Sequence, residues 1–377
     1  MTRAQREGGS RRSARTFRDV AFATKSCGVK PEAPAAAASP PQDGSAGQHH
    51  RETRSAAKVA LAIMLSRLVG LARQRVTGHF FGTSAVADVI VVAFRVGNLA
   101  QNLLGEGTLS ASFIPIYAKL RAEGKRAEAV AFANAALGLL IAAVVVVSGL
   151  GVALAPWLSV LVAGGFDAGR LAMTTRLMRL VFPMTGLLVL CAWALGVLNA
   201  HRRFFLPYVA PVVWSAAQIA ALLIGGGWLL YRHEPLAKVL AVGALAGAGI
   251  ELGLLLRAAR PLLGALRPTL AWTNQWVRLA ARRLPAVLLG RGVIQISGLV
   301  DTLLVSYAGS GAAATFAYAQ MLYLLPMALL GTGEAAVSLP EMARETAEQD
   351  EALRHRRIRQ RLVSTTTRIV AMAVPAM

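Results

Sequence analysis

Arginines set inside apolar segments are the residues of this chain best placed to do chemistry. Arg67, Arg73 and Arg75 fall in one hydrophobic stretch, Asp88 and Arg95 in the next, and Arg291 and Asp301 in another far along the chain. A charge at the centre of a membrane helix costs about 2.5–3.5 kcal/mol on insertion scales, so each one needs a reason to be there. A guanidinium is planar, permanently charged and able to grip phosphate or carboxylate through a fork of N–H donors. A cavity with more arginine than carboxylate therefore suits an anion. Spacing sharpens the pattern. Asp88, Arg95 and Asn102 are seven apart, which puts them on one helix face, and Arg291, Gln295 and Thr302 form a second polar stripe. Arg67, Arg73, Arg95 and Arg291 are the expected anion ligands. Asn98, Glu106, Gln295 and Gln320 are the expected supporting polar groups. Asp88 and Glu106 read as structural partners rather than ligand contacts, with Asp88 capping its own helix or pairing with an arginine of the preceding one. The plainer reading of Arg73 and Arg75 is that they snorkel to an interface.

Membrane helices must position these groups. The 377 residues are 55% hydrophobic and 16% charged, with a mean hydropathy of +0.52. The apolar residues gather in runs of about 20, the length a helix needs to cross a hydrocarbon core. Spans are expected at 57–80, 84–105, 129–157, 172–199, 208–230, 237–256, 284–307 and 312–338, with a ninth starting near 362. Charged residues favour spans one, two, seven and eight, which should wall a polar cavity, with spans three to six as outer support.

Orientation follows from Lys and Arg in the short loops. Loops 106–127, 198–207, 256–283 and 339–361 hold 18 of them, and the alternate loops 79–86, 155–176, 231–238 and 306–313 hold 4. The first set, and with it the N-terminus, is expected to be cytoplasmic. The net charge of +21 then reflects membrane topology and not nucleic-acid binding. Residues 1–55 lack an apolar signal-peptide core and are rich in Arg, Ala, Pro, Ser and Gly, which suits a disordered basic tail able to meet anionic headgroups.

The domain organisation expected is the tail (1–55), a first lobe of six spans (56–256), an amphipathic cytoplasmic connector carrying Trp272 and Trp276 (257–283), and a partial second lobe (284–377). A faint repeat supports two lobes. Leu104-Gly105-Glu106-Gly107 with Pro115 is echoed by Leu330-Gly331-Thr332-Gly333 with Pro340, and Phe81-Gly82 by Ala308-Gly309, about 225 residues on. Cys27 and Cys191 lie in the tail and in a span, with no metal-ligand neighbours. No nucleophile triad, metal spacing or phosphate-binding Gly-Lys loop occurs in the spans. An enzyme, a resident cofactor and ATP coupling are therefore not expected. A membrane potential or ion gradient would drive transport.

Several stretches carry a resemblance: SRLVGLARQRV from Ser66, FFGTSAVAD at 80–88, AFRVGNL at 93–99, EGTLSASFIPIY at 106–117, APWL at 155–158, GVLNAHRRFFLPYVAP at 196–211 and YAQMLYLLP at 318–326. Over about 57–377 the chain resembles the MurJ/MviN family of lipid II flippases in the MOP exporter superfamily. The resemblance implies a MATE-like two-lobe helical bundle, polytopic in the bacterial inner membrane, with its first lobe complete and its second partial. It implies alternating access for an undecaprenyl-diphosphate-linked disaccharide-pentapeptide. It also implies a central cationic cavity, with Arg67 and Arg73 matching the arginines of span one, and Asp88 and Arg95 matching the acidic and basic residues of span two. Gln101, Asn102 and Met321 stand where many members have arginine, and Arg291 could replace one lost charge. The family pattern continues beyond residue 377, so the chain reads as a fragment or truncated product. The alternatives are another exporter of a polyprenyl-linked oligosaccharide and a degenerate, non-transporting membrane scaffold.

Overall fold

Each apolar run is closed by a polar or glycine-rich turn, and the turns carry the caps. The computed structural model describes residues 45–322 except 202, 204 and 265, together with 364 and 367. The chain divides into units 1–52 and 53–377, and all that follows concerns the second. The elements are α1 (Ser45–Phe81), α2 (Ala85–Leu104), α3 (Glu106–Ala122), α4 (Arg126–Val162), α5 (Ala168–Ala200), α6 (Phe205–Leu222), a π-helical turn (Leu223–Trp228), α7 (His233–Leu263) and α8 (Gln275–Ser306). A further helix, α9, is described over 312–322. Ser84 caps α2 by accepting from the Ala87 N–H at 3.3 Å, and Asp167 caps α5 from the Arg170 N–H at 2.9 Å. Asn274 caps α8 by accepting from the Trp276 N–H at 2.9 Å.

Six of these helices are long and apolar enough to cross a membrane: α2, α4, α5, α6 with its π-turn, α7 and α8. The protein is a multi-pass helical membrane protein. Helix α1 contains the expected first span but is not among the six. Arg67, Arg73, Arg75, Gln74 and His79 dilute its apolar character.

Two stretches expected to be loops are largely helical. Most of 106–127 is α3, which packs on α2, α5 and α8. Phe113, Ile116, Tyr117 and Leu120 recur at helical spacing and are all buried. This face gives a good helix, yet one too short and too charged to register as a span. The connector 257–283 is mostly absorbed by the end of α7 and the start of α8, which leaves a non-helical segment over 266–274. Leu255, Ala259 and Leu263 keep one buried face through the end of α7, while Arg257 and Arg260 point outward. The segment lies along α4, where the Asn134 side chain accepts from the Arg267 N–H at 3.3 Å and Trp276 donates to Glu128 at 2.9 Å.

Helix α5 is the axis of the bundle. Of its most apolar stretch, 72% is buried, against 17% in α4, so α5 is packed within the bundle and α4 lies at its periphery. One core joins α2, α5 and α7 around Val92, Met178 and Leu240. The other joins α3, α4, α5 and α7 around Trp193, Phe113 and Phe132. Helices α6 and α7 approach closely at Gly247, where an added Cβ would stand 2.7 Å from Ala217 Cβ and 3.2 Å from Trp214 Cα.

Candidate functional site

Asp88 is fully buried one turn into α2, and its partners lie across the molecule. Its carboxylate accepts from the backbone N–H of Gly311 at 2.6 Å and of Ala314 at 2.8 Å. It thereby caps α9, whose first N–H groups have no partner within their own helix. Arg170 of α5 lies 3.9 Å away, held by Asp167 at 2.6 Å and stacked over the Phe166 ring at 4.7 Å. The turn before α9 is shaped for this contact. Gly311 has φ +87°, and an added Cβ there would run into the Thr83 carbonyl. Tyr318 of α9 donates to the Gly82 carbonyl at 3.1 Å, and Ser306 accepts from the Gly165 N–H at 3.1 Å. The α1–α2 and α8–α9 turns, the two related by the sequence repeat, are thus fastened to each other and closed at this end.

Beside this knot a polar cleft opens between α1, α2, α6, α8 and α9, with a cavity of about 600 Å³. Arg73, Arg95, Asn98, Gln295 and Gln320 line it, with Gln101 and Asn102 on the continuing face of α2. A second cavity of about 510 Å³ adjoins it, sharing Arg95, Gln295 and Gln320 and adding Asp301. Arg95 donates to Gln320 Oε1 at 3.2 Å, a bond that joins residues 225 apart, the offset of the sequence repeat. Arg73 donates from Nη1 to Gln218 Oε1 at 3.2 Å and lies over the Trp214 ring at 5.1 Å. Its Nε is buried with no hydrogen-bond partner among the described residues.

The structure thus brings together five of the residues singled out by sequence: Arg73, Arg95, Asn98, Gln295 and Gln320. Arg67 is not among the lining residues. It is exposed, because six residues along a helix turn it about 120° away from Arg73. The side chains of Arg291 and Glu106 lie outside the described residues, although the backbone places Arg291 in α8 and Glu106 at the start of α3. Asp88 neither caps its own helix, which Ser84 does, nor pairs with an arginine of α1. Its partners are the N-terminus of α9 and Arg170. Sequence reasoning passed over Trp214 and Gln218. The signal available was a lone amide in an apolar span with an aromatic residue one turn before it. Among the described residues no group of three or more His, Cys, Asp or Glu could hold a metal.

Residues 77–377 match the family described as lipid II flippase MurJ. The lipid II flippase MurJ of Burkholderia cenocepacia is 33% identical over 291 residues, covering 76% of this chain and 56% of that protein. The probable lipid II flippase MurJ of Rhizobium meliloti is 31% identical over 298 residues, covering 76% and 54%. This chain therefore spans a little over half the length of these relatives. A solved structure described as lipid II flippase MurJ, inward closed conformation, has the same fold, with a TM-score of 0.62 at 20% identity over 76% of this chain and 58% of that one.

Proposed function

We propose a transport function from one fixed point: this chain belongs to the lipid II flippase MurJ family. On this reading it serves a flippase that moves a lipid-linked peptidoglycan precursor, carried on undecaprenyl diphosphate, across the bacterial cytoplasmic membrane by alternating access. The observation that carries the reading is the cleft. Arg73 of α1 and Arg95 of α2 line one cavity, beside the buried Asp88 carboxylate that accepts from the start of α9. A diphosphate brings the oxygens that a guanidinium fork binds best. Arg67 and Arg291 are further ligands in this proposal, reached as the cleft changes shape. The protein is a carrier and not an enzyme, with neither ATP nor a cofactor in its cycle. The N-terminus and the basic loops face the cytoplasm, so the Asp88 end is the outer end.

The test is complementation. Cells depleted of their own flippase should grow, and cease to accumulate the lipid-linked precursor, when the gene is expressed at full length. Growth should be lost in Arg73→Ala with protein still present in the membrane. Failure of a well-inserted wild-type protein to restore growth would overturn the reading and leave a non-transporting scaffold. A second substrate is favoured by one observation, the wealth of neutral amides in the cleft: Asn98, Gln101, Asn102, Gln295 and Gln320. Amides hydrogen-bond sugar hydroxyls, so another polyprenyl-linked oligosaccharide fits the same walls. Precursor accumulation despite transport of such a lipid in vesicles would select it.

A further inference from the structure

Arg73 is the most constrained cation in the cleft, and the constraint comes from α6. Trp214 offers its ring face to the guanidinium at 5.1 Å. Its own position is fixed, since the indole N–H donates to the Ala244 carbonyl of α7 at 3.1 Å. That bond requires the close approach of α6 and α7 that Gly247 allows. Gln218, only 1% exposed, sits one turn on. Its Nε2 donates to the Trp214 carbonyl at 3.4 Å, and this fixes which way the amide points and presents Oε1 to Arg73 Nη1. The guanidinium is therefore held on one face by a ring and at one corner by an acceptor. Nε is buried, with no hydrogen-bond partner among the described residues, and the side chain lines the cleft. A phosphoryl oxygen entering the cleft would meet a guanidinium whose orientation is already set.

We infer that Trp214 and Gln218 are positioning residues that hold the Arg73 guanidinium in the cleft wall, oriented for one phosphoryl group of the transported headgroup. The inference rests on the flippase reading and adds to it what orients the ligand arginine. A neutral amide is the right corner group. It fixes the guanidinium without cancelling its charge, whereas a carboxylate would occupy the fork and compete with phosphate. An aromatic face is the right support because it attracts a cation while leaving the in-plane N–H groups free. The class of ligand is a diphosphate, whether on a polyprenol or free in solution.

The experiment is direct binding to the full chain in nanodiscs, with undecaprenyl diphosphate in one arm and inorganic pyrophosphate in the other. Trp214→Leu and Gln218→Ala should each weaken binding about tenfold in both arms at temperatures where the variants remain folded, while Trp214→Phe, which keeps a ring face, stays within about threefold of wild type. Gln218→Glu should weaken binding more than Gln218→Ala, since it supplies a fixed competing anion. A purely structural residue would not produce that order. Arg73→Ala should abolish binding in both arms. If Arg73→Ala abolishes binding while Trp214→Leu and Gln218→Ala bind like wild type, the positioning role is overturned and the flippase reading stands. If Arg73→Ala itself binds normally, the site assignment falls with it. Weakening of the lipid arm alone, with pyrophosphate binding untouched, would also overturn the claim that the phosphoryl group is what Arg73 is aimed at.

Discussion

The knot around Asp88 and the cleft around Arg73 and Arg95 are built from the same materials: charges buried between helices in a largely apolar bundle. They differ in what remains unsatisfied. Asp88 has two backbone donors aimed at it, a guanidinium nearby and no exposed surface. Arg73 has one acceptor, one ring face and an N–H with no partner. A buried carboxylate that accepts from another helix holds helices together, and a charged side chain that lines a cavity is placed to meet a ligand. An orphaned donor alone does not mark a ligand site, since Arg170 Nη1 in the knot is also buried without a hydrogen-bond partner among the described residues; what sets Arg73 apart is that it lines the cleft.

The knot should respond most strongly to mutation. Asp88→Ala strands two N–H groups at the start of α9 and leaves Arg170 without its buried partner. Breaking a buried charged contact in this way costs about 3–5 kcal/mol. Protein level in the membrane and the melting temperature in detergent should both fall sharply. Asp88→Asn keeps one acceptor oxygen and should fall between the two, losing protein before it loses specific transport. A stable, abundant and fully inactive Asp88→Asn would break the comparison by moving Asp88 among the ligands.

Gly311→Ala tests the same knot through the backbone. At φ +87° a side chain is strained by about 1–3 kcal/mol, and the new Cβ would meet the Thr83 carbonyl. The α8–α9 turn should loosen from the α1–α2 turn, visible as faster proteolysis or hydrogen exchange at 307–311. Unchanged protection there would mean that the two turns do not depend on each other.

The cleft should show the opposite profile. Arg95→Leu removes a charge-assisted donor worth about 1.5–3 kcal/mol to a bound anion, so transport in vesicles should fall at least tenfold with little change in melting temperature. Gln320→Leu, which frees Arg95 from its cross-repeat bond, should cost only about threefold. A collapse of stability in either variant would place Arg95 with the knot.

How much of this could be read from residues alone depended on the range of the interaction. The helices were legible because apolar runs near 20 residues and basic loops are local signals, and the start of α9 at residue 312 falls where the expected eighth span begins. Helix α3 was missed because its buried face is amphipathic and not uniformly apolar. In the cleft, Arg73, Arg95, Asn98, Gln295 and Gln320 were visible as polar residues where polarity is costly. Their partners were not. Asp88 reaches 223 and 226 residues along the chain, and Arg73 reaches 145 to Gln218. No helical period carries such pairings. Arg67 lies outside the cleft lining in this structure because six residues turn it about 120° from Arg73 around α1.

The smallest effect expected is a pH dependence at the far end of α5, and it sharpens what counts as a satisfied group. His201 follows the last turn of α5, half-buried, and shares a hydrogen bond of 3.0 Å with the Tyr117 hydroxyl of α3. Arg121 donates to the neighbouring Ala200 carbonyl at 3.1 Å. Unlike Asp88, His201 is crowded by charges of the sign it would acquire. Burial first, then the Arg121, Arg203 and Arg126 guanidiniums, push its pKa from the usual 6.5 down to about 4. Between these pH values the unfolded chain takes up a proton that the folded chain refuses. The stability that His201 contributes is thus complete above about pH 6.5 and drains away as pH falls toward 4. Because the ring is partly exposed, screening limits the effect to about 1 kcal/mol. Melting curves taken between pH 7 and 4.5 should show this loss, and His201→Gln, which cannot titrate yet keeps a polar partner for Tyr117, should flatten it. A His201→Gln protein that loses stability over this range as steeply as wild type would assign the pH dependence to other groups, and would remove the case that α3 and α5 are joined through a neutral imidazole.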